Sequence, residues 1–195
     1  MHLWLRGSLF ASFASAAVTS SRSFHLSAMK RAAGVFEQAG ATWLLKTEPD
    51  EFSLDDLERA GVAPWDKVRN HQAKNNIKSA KIGDVCLIYH TGKKPSVVGI
   101  GRVVRTAYDD PDPIKPGDWQ QMDLQYQERF KFPVLLTTLK SIAAADPEGH
   151  IASLPIFKQP QLSVSPVTPE QLEIFLNLAE EEQAPPPKKK AKAKA

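Results

Sequence analysis

Two long segments of alternating apolar and polar residues, joined by a proline-rich loop, constrain the fold most strongly. "SVVGIGRVVRTAY" covers 96–108, and "WQQMDLQYQERF" covers 119–130, where every second residue from Met122 to Tyr126 is apolar. A period of two is typical of half-buried strands. The intervening "DDPDPIKPGD" (109–118) predicts a rigid acidic loop. The two segments therefore predict strands of one sheet.

Capping residues mark the predicted helices. Ser53 begins a helix through "SLDDLERAG", with Asp56 at the capping-box position and Gly61 after its end. A second helix is predicted at 69–80. Thr168 precedes a proline and a capping glutamine, Pro169 and Gln171. The helix that follows carries apolar residues on one face: Leu172, Phe175, Leu176 and Ala179.

The order of the elements predicts an α+β domain. "TWLLK" (42–46) and "DVCLIYH" (84–90) add two short strands, so strands dominate the middle of the chain and helices flank it. This order favours a curved or barrel-like antiparallel sheet with helices packed at its edges. A length of 195 residues with 42% hydrophobic content suits one domain with tails. Cys86, the single cysteine, is predicted in the core and excludes an internal disulfide.

The formal net charge of +3 conceals an acidic body with basic ends. Residues 1–36 hold four Lys/Arg and no acid, and residues 188–194 hold five Lys, so the body from Glu37 to Pro187 carries a net charge of −6. Strong nonspecific binding to duplex DNA needs a broadly basic domain, which this body is not. Any nucleic-acid contact must therefore be local, and 66–81 supplies a candidate patch of five cations and one acid.

Both ends are predicted to lie outside the folded domain. Residues 1–36 are rich in Ser, Ala and Arg, and "RSFHLSAMKR" within them resembles a mitochondrial cleavage signal. Translation from Met29 is the alternative. The tail at 180–195 ends in "APPPKKKAKAKA", which is consistent with a nuclear address or a solubilising segment. We therefore expect a mitochondrial product from Met1 and a nuclear product from Met29. The sequence has no run of 18 apolar residues that predicts a membrane span.

Several ordered blocks of the body resemble a known family. They are "WLLKTEPDEFSLDDL", "WDKVRNHQAKNNIKSAKIGDVCLIYH", "GIGRVV" and "QLSVSPVTPEQLEIFLNL". At these separations they resemble the EVE domain, in the pattern of the thymocyte nuclear protein 1 family, and place it at 42–179. The resemblance implies a PUA-like curved β-barrel with flanking helices, related in architecture to YTH domains. It also implies a pocket that recognises modified nucleobases.

The stretch around Trp65 contains the residue types that such a pocket needs. Reading an extruded base requires an aromatic face, hydrogen-bonding groups for its edge and a cation near the phosphate. Trp65 suits the face, and Asn70 and Asn75 suit the edge. Arg69 and Lys46 are the candidate cations. Each has a structural alternative: the tryptophan as a hydrophobic lid, Asn70 as a helix cap, and the lysine as a partner of the nearby Glu48.

Further site residues are implied by the resemblance. Tyr89 and His90 end a predicted strand, where side chains can reach a barrel mouth, and a hydrogen bond to a loop carbonyl is the alternative for His90. Core packing is the alternative for Phe52. At positions 67 and 71 this chain has lysine and histidine where related proteins often have glycine and an aromatic residue. The remaining candidates complete the predicted set: Glu48, Ser53, Gln161 and Ser163.

Other functional classes have weaker support in the sequence. His71 and His90 with Asp66 or Asp84 could form a metal or acid–base site, but the chain has no HxH, HExxH or cysteine pair. We therefore expect a monomeric, non-catalytic reader whose partner is nucleic acid carrying a modified base, with no cofactor, metal or membrane. A nucleic-acid modification enzyme and a protein-interaction adaptor remain the alternatives.

Overall fold

The structure is a computed structural model that describes residues 40–111 and 118–183. It contains six strands: β1 (Thr42–Thr47), β2 (Val62–Trp65), β3 (Val85–His90), β4 (Ser96–Asp109), β5 (Gln120–Leu135) and β6 (Val164–Val167). The α-helices are α1 (Leu54–Ala60), α2 (His71–Ser79), α3 (Leu136–Ala145), α4 (Pro155–Lys158) and α5 (Pro169–Leu178), and a 3-10 turn spans Ile151–Ser153. The α+β class is confirmed.

The strands form one mixed sheet in the order β2-β5-β4-β3-β1-β6. The sheet is open rather than closed, with β2 and β6 at its edges, and each edge strand has four residues including a proline, Pro64 and Pro166. The expected all-antiparallel pairing is wrong at one ladder, because β1 and β3 run parallel with Thr42 opposite Val85. The chain crosses over through α1, β2 and α2 between these two strands, which allows them to run in the same direction.

Two hydrophobic clusters cover the two faces of the sheet. Along β1, Leu44 belongs to one cluster, whereas Trp43 and Leu45 belong to the other. The Leu44 cluster is covered by α3, α4 and α5, and the Trp43 cluster by α1 and α2. Cys86 is fully buried in the latter, where burial raises the pKa of its thiol. The predicted core position of this cysteine is confirmed.

The capping predictions are confirmed. Ser53 caps α1 in a reciprocal capping box with Asp56, and the helix ends at Gly61. Thr168 forms the same box with Gln171 at the start of α5.

Long alternating strands also form where the sequence places them. In β4, a Cβ at Gly99 would lie 2.5 Å from the Glu128 carbonyl oxygen, so this glycine permits the close approach of β5.

A buried carboxylate holds the beginning of the domain together. Asp84 is 1% exposed and accepts hydrogen bonds from the backbone N–H groups of Ala41 and Lys81, both at 2.9 Å. It accepts a third, also at 2.9 Å, from the indole N–H of Trp43. This carboxylate thereby links the start of β1, the end of α2 and the start of β3.

Both predicted terminal segments lie largely outside the described residues. Residues 1–36, the tail from 184 onward, and 112–117 of the predicted acidic loop are among them. Ordered contacts extend beyond the predicted boundary at 179, because Gln183 accepts from the Leu135 N–H at 2.8 Å and donates to the Pro133 carbonyl at 3.0 Å. None of the described helices is long and apolar enough to cross a membrane.

Candidate nucleic-acid interface

A cavity of about 350 Å³ opens where four separate segments of the chain meet. Its walls come from the end of β1 with the turn that follows, the end of β2 with its following loop, Thr91, and the segment before β6. Lining residues are Lys46, Thr47, Glu48, Glu51, Phe52, Pro64, Trp65, Asp66, Lys67, Val68, Thr91, Pro160, Gln161 and Ser163. We call this space the cavity.

Short backbone and hydroxyl contacts fix the cavity wall after β1. The N–H groups of Glu51 and Phe52 both donate to the Glu48 carbonyl, at 2.9 and 3.0 Å, and close a tight turn. The Thr47 hydroxyl donates to the Phe52 carbonyl at 2.8 Å. On the other side, the Lys46 N–H donates to the Ser163 carbonyl at 2.8 Å. The segment before β6 is thus joined to β1 at the cavity.

Phe52 and Trp65 form the aromatic part of the cavity. Their rings meet edge to face, with centroids 6.1 Å apart and planes at 81°. Trp65 is only 5% exposed and belongs to the Trp43 cluster, while Phe52 is half-buried against that cluster. The tryptophan therefore packs in the core, as the hydrophobic-lid alternative expects, and it also lines the cavity.

Lys46 places an amine within the cavity. Its side chain is half-buried, and Nζ donates to the Pro160 carbonyl at 3.1 Å. Burial lowers the pKa of this amine because the charged form loses hydration. The structure thus gives Lys46 a main-chain partner, in contrast to the alternative pairing with Glu48. An amine fixed in this position can also donate a hydrogen bond to a bound polar ligand.

The cavity mouth carries charges of both signs. Glu48, Glu51 and Asp66 are exposed and supply carboxylates, and Lys67 supplies a cation. Lys67 has φ of 56°, the left-handed region that favours glycine. The family resemblance implies a glycine at this position, which agrees with this backbone conformation. Its N–H donates to the buried Asp110 at 3.2 Å, which helps to hold this conformation.

Six of the twelve predicted site residues line the cavity, and six do not. Those that line it are Lys46, Glu48, Phe52, Trp65, Gln161 and Ser163. Of the others, Ser53 caps α1, and Asn70 caps α2 by accepting from the Ala73 N–H at 3.0 Å. Asn75 is exposed on α2. The cap role that the sequence left open for Asn70 is thus present.

The remaining three predicted residues are held by other parts of the fold. Arg69 contacts Asp110 at 2.8 Å through its guanidinium. Tyr89 is buried in the Leu44 cluster, where burial raises its pKa to about 12. His90 is half-buried, and its Nε2 accepts from the Leu54 N–H at 3.0 Å. That contact satisfies a backbone donor in the first turn of α1.

The hydrogen bond to His90 predicts a loss of stability in acid. Burial lowers the pKa of its imidazole from the ordinary 6.5, an effect that Arg129 reinforces and Asp55 opposes. The neutral ring is the acceptor, so its contribution is complete above about pH 6.5 and is lost as the pH falls through the lowered pKa. We expect urea unfolding at pH 7.5 and 5.5 to show a larger acid loss in the native protein than in His90→Gln. Substituting the exposed His150 by Gln should preserve the native pH dependence; equal acid loss in all three would contradict the assignment.

Eight cavity residues were missed by the sequence reasoning. They are Thr47, Glu51, Pro64, Asp66, Lys67, Val68, Thr91 and Pro160. Every one lies within three residues of a predicted site residue in the sequence. That adjacency was the available signal, because a cavity formed by strand ends takes its walls from short runs rather than isolated positions. Within residues 40–111 and 118–183, no group of three or more His, Cys, Asp or Glu side chains is arranged to hold a metal ion.

Comparison with known proteins identifies the domain. The EVE domain family model matches residues 41–178. Mouse thymocyte nuclear protein 1 is 32% identical over 167 residues, which cover 72% of this chain and 74% of that protein. The human protein of the same name is 30% identical, with the same coverage.

Solved structures agree with this match. Human THYN1 protein in complex with 5-methylcytosine-containing DNA has a TM-score of 0.70 and 30% identity, covering 74% of this chain and 100% of that one. A hypothetical protein from Leishmania major has a TM-score of 0.65 and 35% identity, covering 72% and 94%. The fold, the spacing of the motifs and these matches together show that the chain belongs to the EVE-domain family.

Proposed function

We propose that the protein binds DNA and reads a modified base, which it takes into the cavity without chemical change. The cavity is the observation that carries this proposal. It brings together the aromatic rings of Phe52 and Trp65, the Lys46 amine that the Pro160 carbonyl positions, and several carboxylates. Its volume lies in the range of small-molecule sites, about 300–1,000 Å³. The human relative solved with 5-methylcytosine-containing DNA supports the same kind of ligand.

The polar groups of the cavity suit a modified cytosine. Lys46 Nζ can donate to a ring carbonyl, and the carboxylate of Glu48 or Glu51 can accept from an exocyclic amino group. A cytosine presents both groups on one edge. Phe52 and Trp65 supply the apolar contact that a base requires once it has left its stack. Gln161 and Ser163 add further polar contacts on the opposite wall.

The direct test is binding to matched oligonucleotides that differ in one base. We expect fluorescence polarisation to show tighter binding to DNA with one 5-methylcytosine than to its unmodified counterpart. Lys46→Met, which keeps the side-chain length and removes the donor, should reduce this preference, whereas Lys140→Met on the exposed surface of α3 should retain it. Equal affinity of the native protein for both oligonucleotides would refute base reading, and a change in base mass after incubation would reveal catalysis.

The cellular location is proposed from the relatives and the two predicted starts. The related proteins are named as nuclear, which favours a nuclear product translated from Met29. The mitochondrial product from Met1 rests on residues 1–36 alone. Amino-terminal sequencing of mitochondrial material distinguishes the two, because an intact Met1 end there contradicts removal of a presequence.

A further inference from the structure

One face of α2 carries two lysines and a histidine and no acid. His71, Lys74 and Lys78 lie at positions i, i+3 and i+7 and therefore share one side of the helix. A separate side of the helix is buried through Ala73 and Ile77. No Asp or Glu occurs in His71–Ser79, whereas α1 and α5 both have acids in their first turn.

Two further cations continue this face to the cavity. Lys67 lines the cavity, and Arg69 follows two residues later. Asp110 binds both, because its carboxylate accepts from the Lys67 N–H at 3.2 Å and from the Arg69 guanidinium at 2.8 Å. Only 6% of Asp110 is exposed, so it acts as an internal brace. We call Lys67, Arg69, His71, Lys74 and Lys78 the α2 track.

Three side chains of the α2 track contact the ring of Trp119. The Arg69 guanidinium carbon lies 5.5 Å from its ring centroid, and Lys74 Nζ lies 5.6 Å from it. The His71 ring is 5.3 Å away and tilted by 33°. Only 8% of Trp119 is exposed. The ring therefore lies beneath these side chains and supports them, and little of it is available for contact with a ligand. Cation–π contacts of this kind restrict where long side chains can point.

We propose that the α2 track binds the phosphodiester backbone of the DNA strand next to the base in the cavity. This inference rests on the proposed DNA binding and assigns it a second contact surface. Nine helical residues extend about 13 Å. That distance matches about four phosphates of one strand, which are spaced 3.4 Å apart along the axis of a duplex. The body has a net charge of −6, so the contribution of the body to backbone affinity depends on a local group of cations such as this one.

Carboxylates border the α2 track, but none lies on α2. Asp110 offsets the charge of Arg69, with which it pairs at 2.8 Å, and also accepts from the Lys67 backbone N–H. Asp109 is exposed and accepts from Gln120 Nε2 at 2.6 Å. Lys74 Nζ donates to the Asp118 backbone carbonyl at 3.0 Å, which orients the amine without neutralising it. Two further exposed carboxylates, Asp66 and Asp118, also border the track, so its free positive charge is concentrated on the lysines of α2. Along α2 itself the charge is purely cationic.

The test separates backbone contact from base reading through salt dependence. Binding of modified and unmodified oligonucleotides is measured at several salt concentrations for the native chain, for Lys78→Gln and for the double variant Lys74→Gln/Lys78→Gln. Each lost phosphate contact should reduce the slope of log K against log salt by about 0.9. Affinity should fall by the same factor for both oligonucleotides, so the preference for the modified base stays constant. Lys140→Gln, an exposed helical lysine on the other face of the sheet, is the matched control and should leave the slope unchanged.

The outcomes distinguish this inference from the proposed function. If the native chain binds both oligonucleotides equally, base reading fails, but a reduced slope in the variants still supports the α2 track. If the native chain prefers the modified base and the variants keep the slope of Lys140→Gln, the track inference is overturned. A loss limited to the modified oligonucleotide would also overturn it. Thermal unfolding of each variant verifies that the fold is retained.

Discussion

Replacing Trp65 by leucine should weaken binding to modified-base DNA by about 1–3 kcal/mol, or roughly 5- to 150-fold. Leucine retains apolar volume in the core but removes the aromatic face beside the cavity. Trp65→Ala would be a poorer test, because truncating a buried tryptophan costs about 3–5 kcal/mol of stability and Trp65 is 5% exposed within the Trp43 cluster. Trp65→Phe should restore much of the lost affinity.

A matched core variant separates binding from stability in this experiment. Phe130 is 3% exposed in the Leu44 cluster, on the other face of the sheet. Phe130→Leu should lower the melting temperature and leave the preference for the modified base intact. If Trp65→Leu and Phe130→Leu retain the same preference, Trp65 contributes only to packing and the aromatic part of the proposal is wrong.

Removing the charge of Asp84 should destabilise the whole domain. In Asp84→Asn, one of the two oxygens that face N–H donors becomes an amide nitrogen, which places donor against donor at Ala41, Trp43 or Lys81. Hydrogen bonds to a charged group contribute about 1.5–3 kcal/mol each, and three converge here. We expect the free energy of unfolding in urea to fall by about 3 kcal/mol or more.

Glu173→Gln serves as the control for this loss, since Glu173 is exposed on α5 and the same acid-to-amide change should alter stability by less than about 0.5 kcal/mol. Asp84 does not line the cavity, so Asp84→Asn protein that remains folded should keep its base preference. Two variants with equal unfolding free energies would show that the buried carboxylate contributes little.

Features set by neighbours in the sequence were predictable. The capping boxes of α1 and α5 each need two residues three positions apart, so Ser53 with Asp56 and Thr168 with Gln171 could be read directly. The alternation in the first half of β5 follows burial and was equally visible, although residues at the start of β4 are buried on both faces. By contrast, α3 begins at Leu136 after Leu135, which makes no side-chain cap, and gives no comparable signal.

Features set by distant partners were not predictable. β2 is "VAPW", a short segment with a proline, and is a strand because it pairs with β5 sixty residues later, with Trp65 opposite Met122. The parallel pairing of β1 and β3 likewise depends on the crossover between them. The same limit applies to the site. Arg69 has the chemistry of a ligand contact, but it pairs with Asp110, 41 residues later, and that partner is visible only in the folded chain. The cap role of Asn70 depends on a neighbour three residues later and was an alternative that the sequence offered.

The proline-containing edge strands restrict how a second macromolecule can join this protein. Pro64 and Pro166 each remove a backbone donor from a strand of only four residues, and these strands are the two ends of the sheet. Short edges interrupted by proline are poor templates for an incoming strand. Neither fibril-like stacking nor recruitment of an extended peptide is therefore favoured there. We therefore expect a binding partner to be recognised through side chains. The surfaces for such recognition are the cavity and the outer faces of the helices, and not the edge strands β2 and β6.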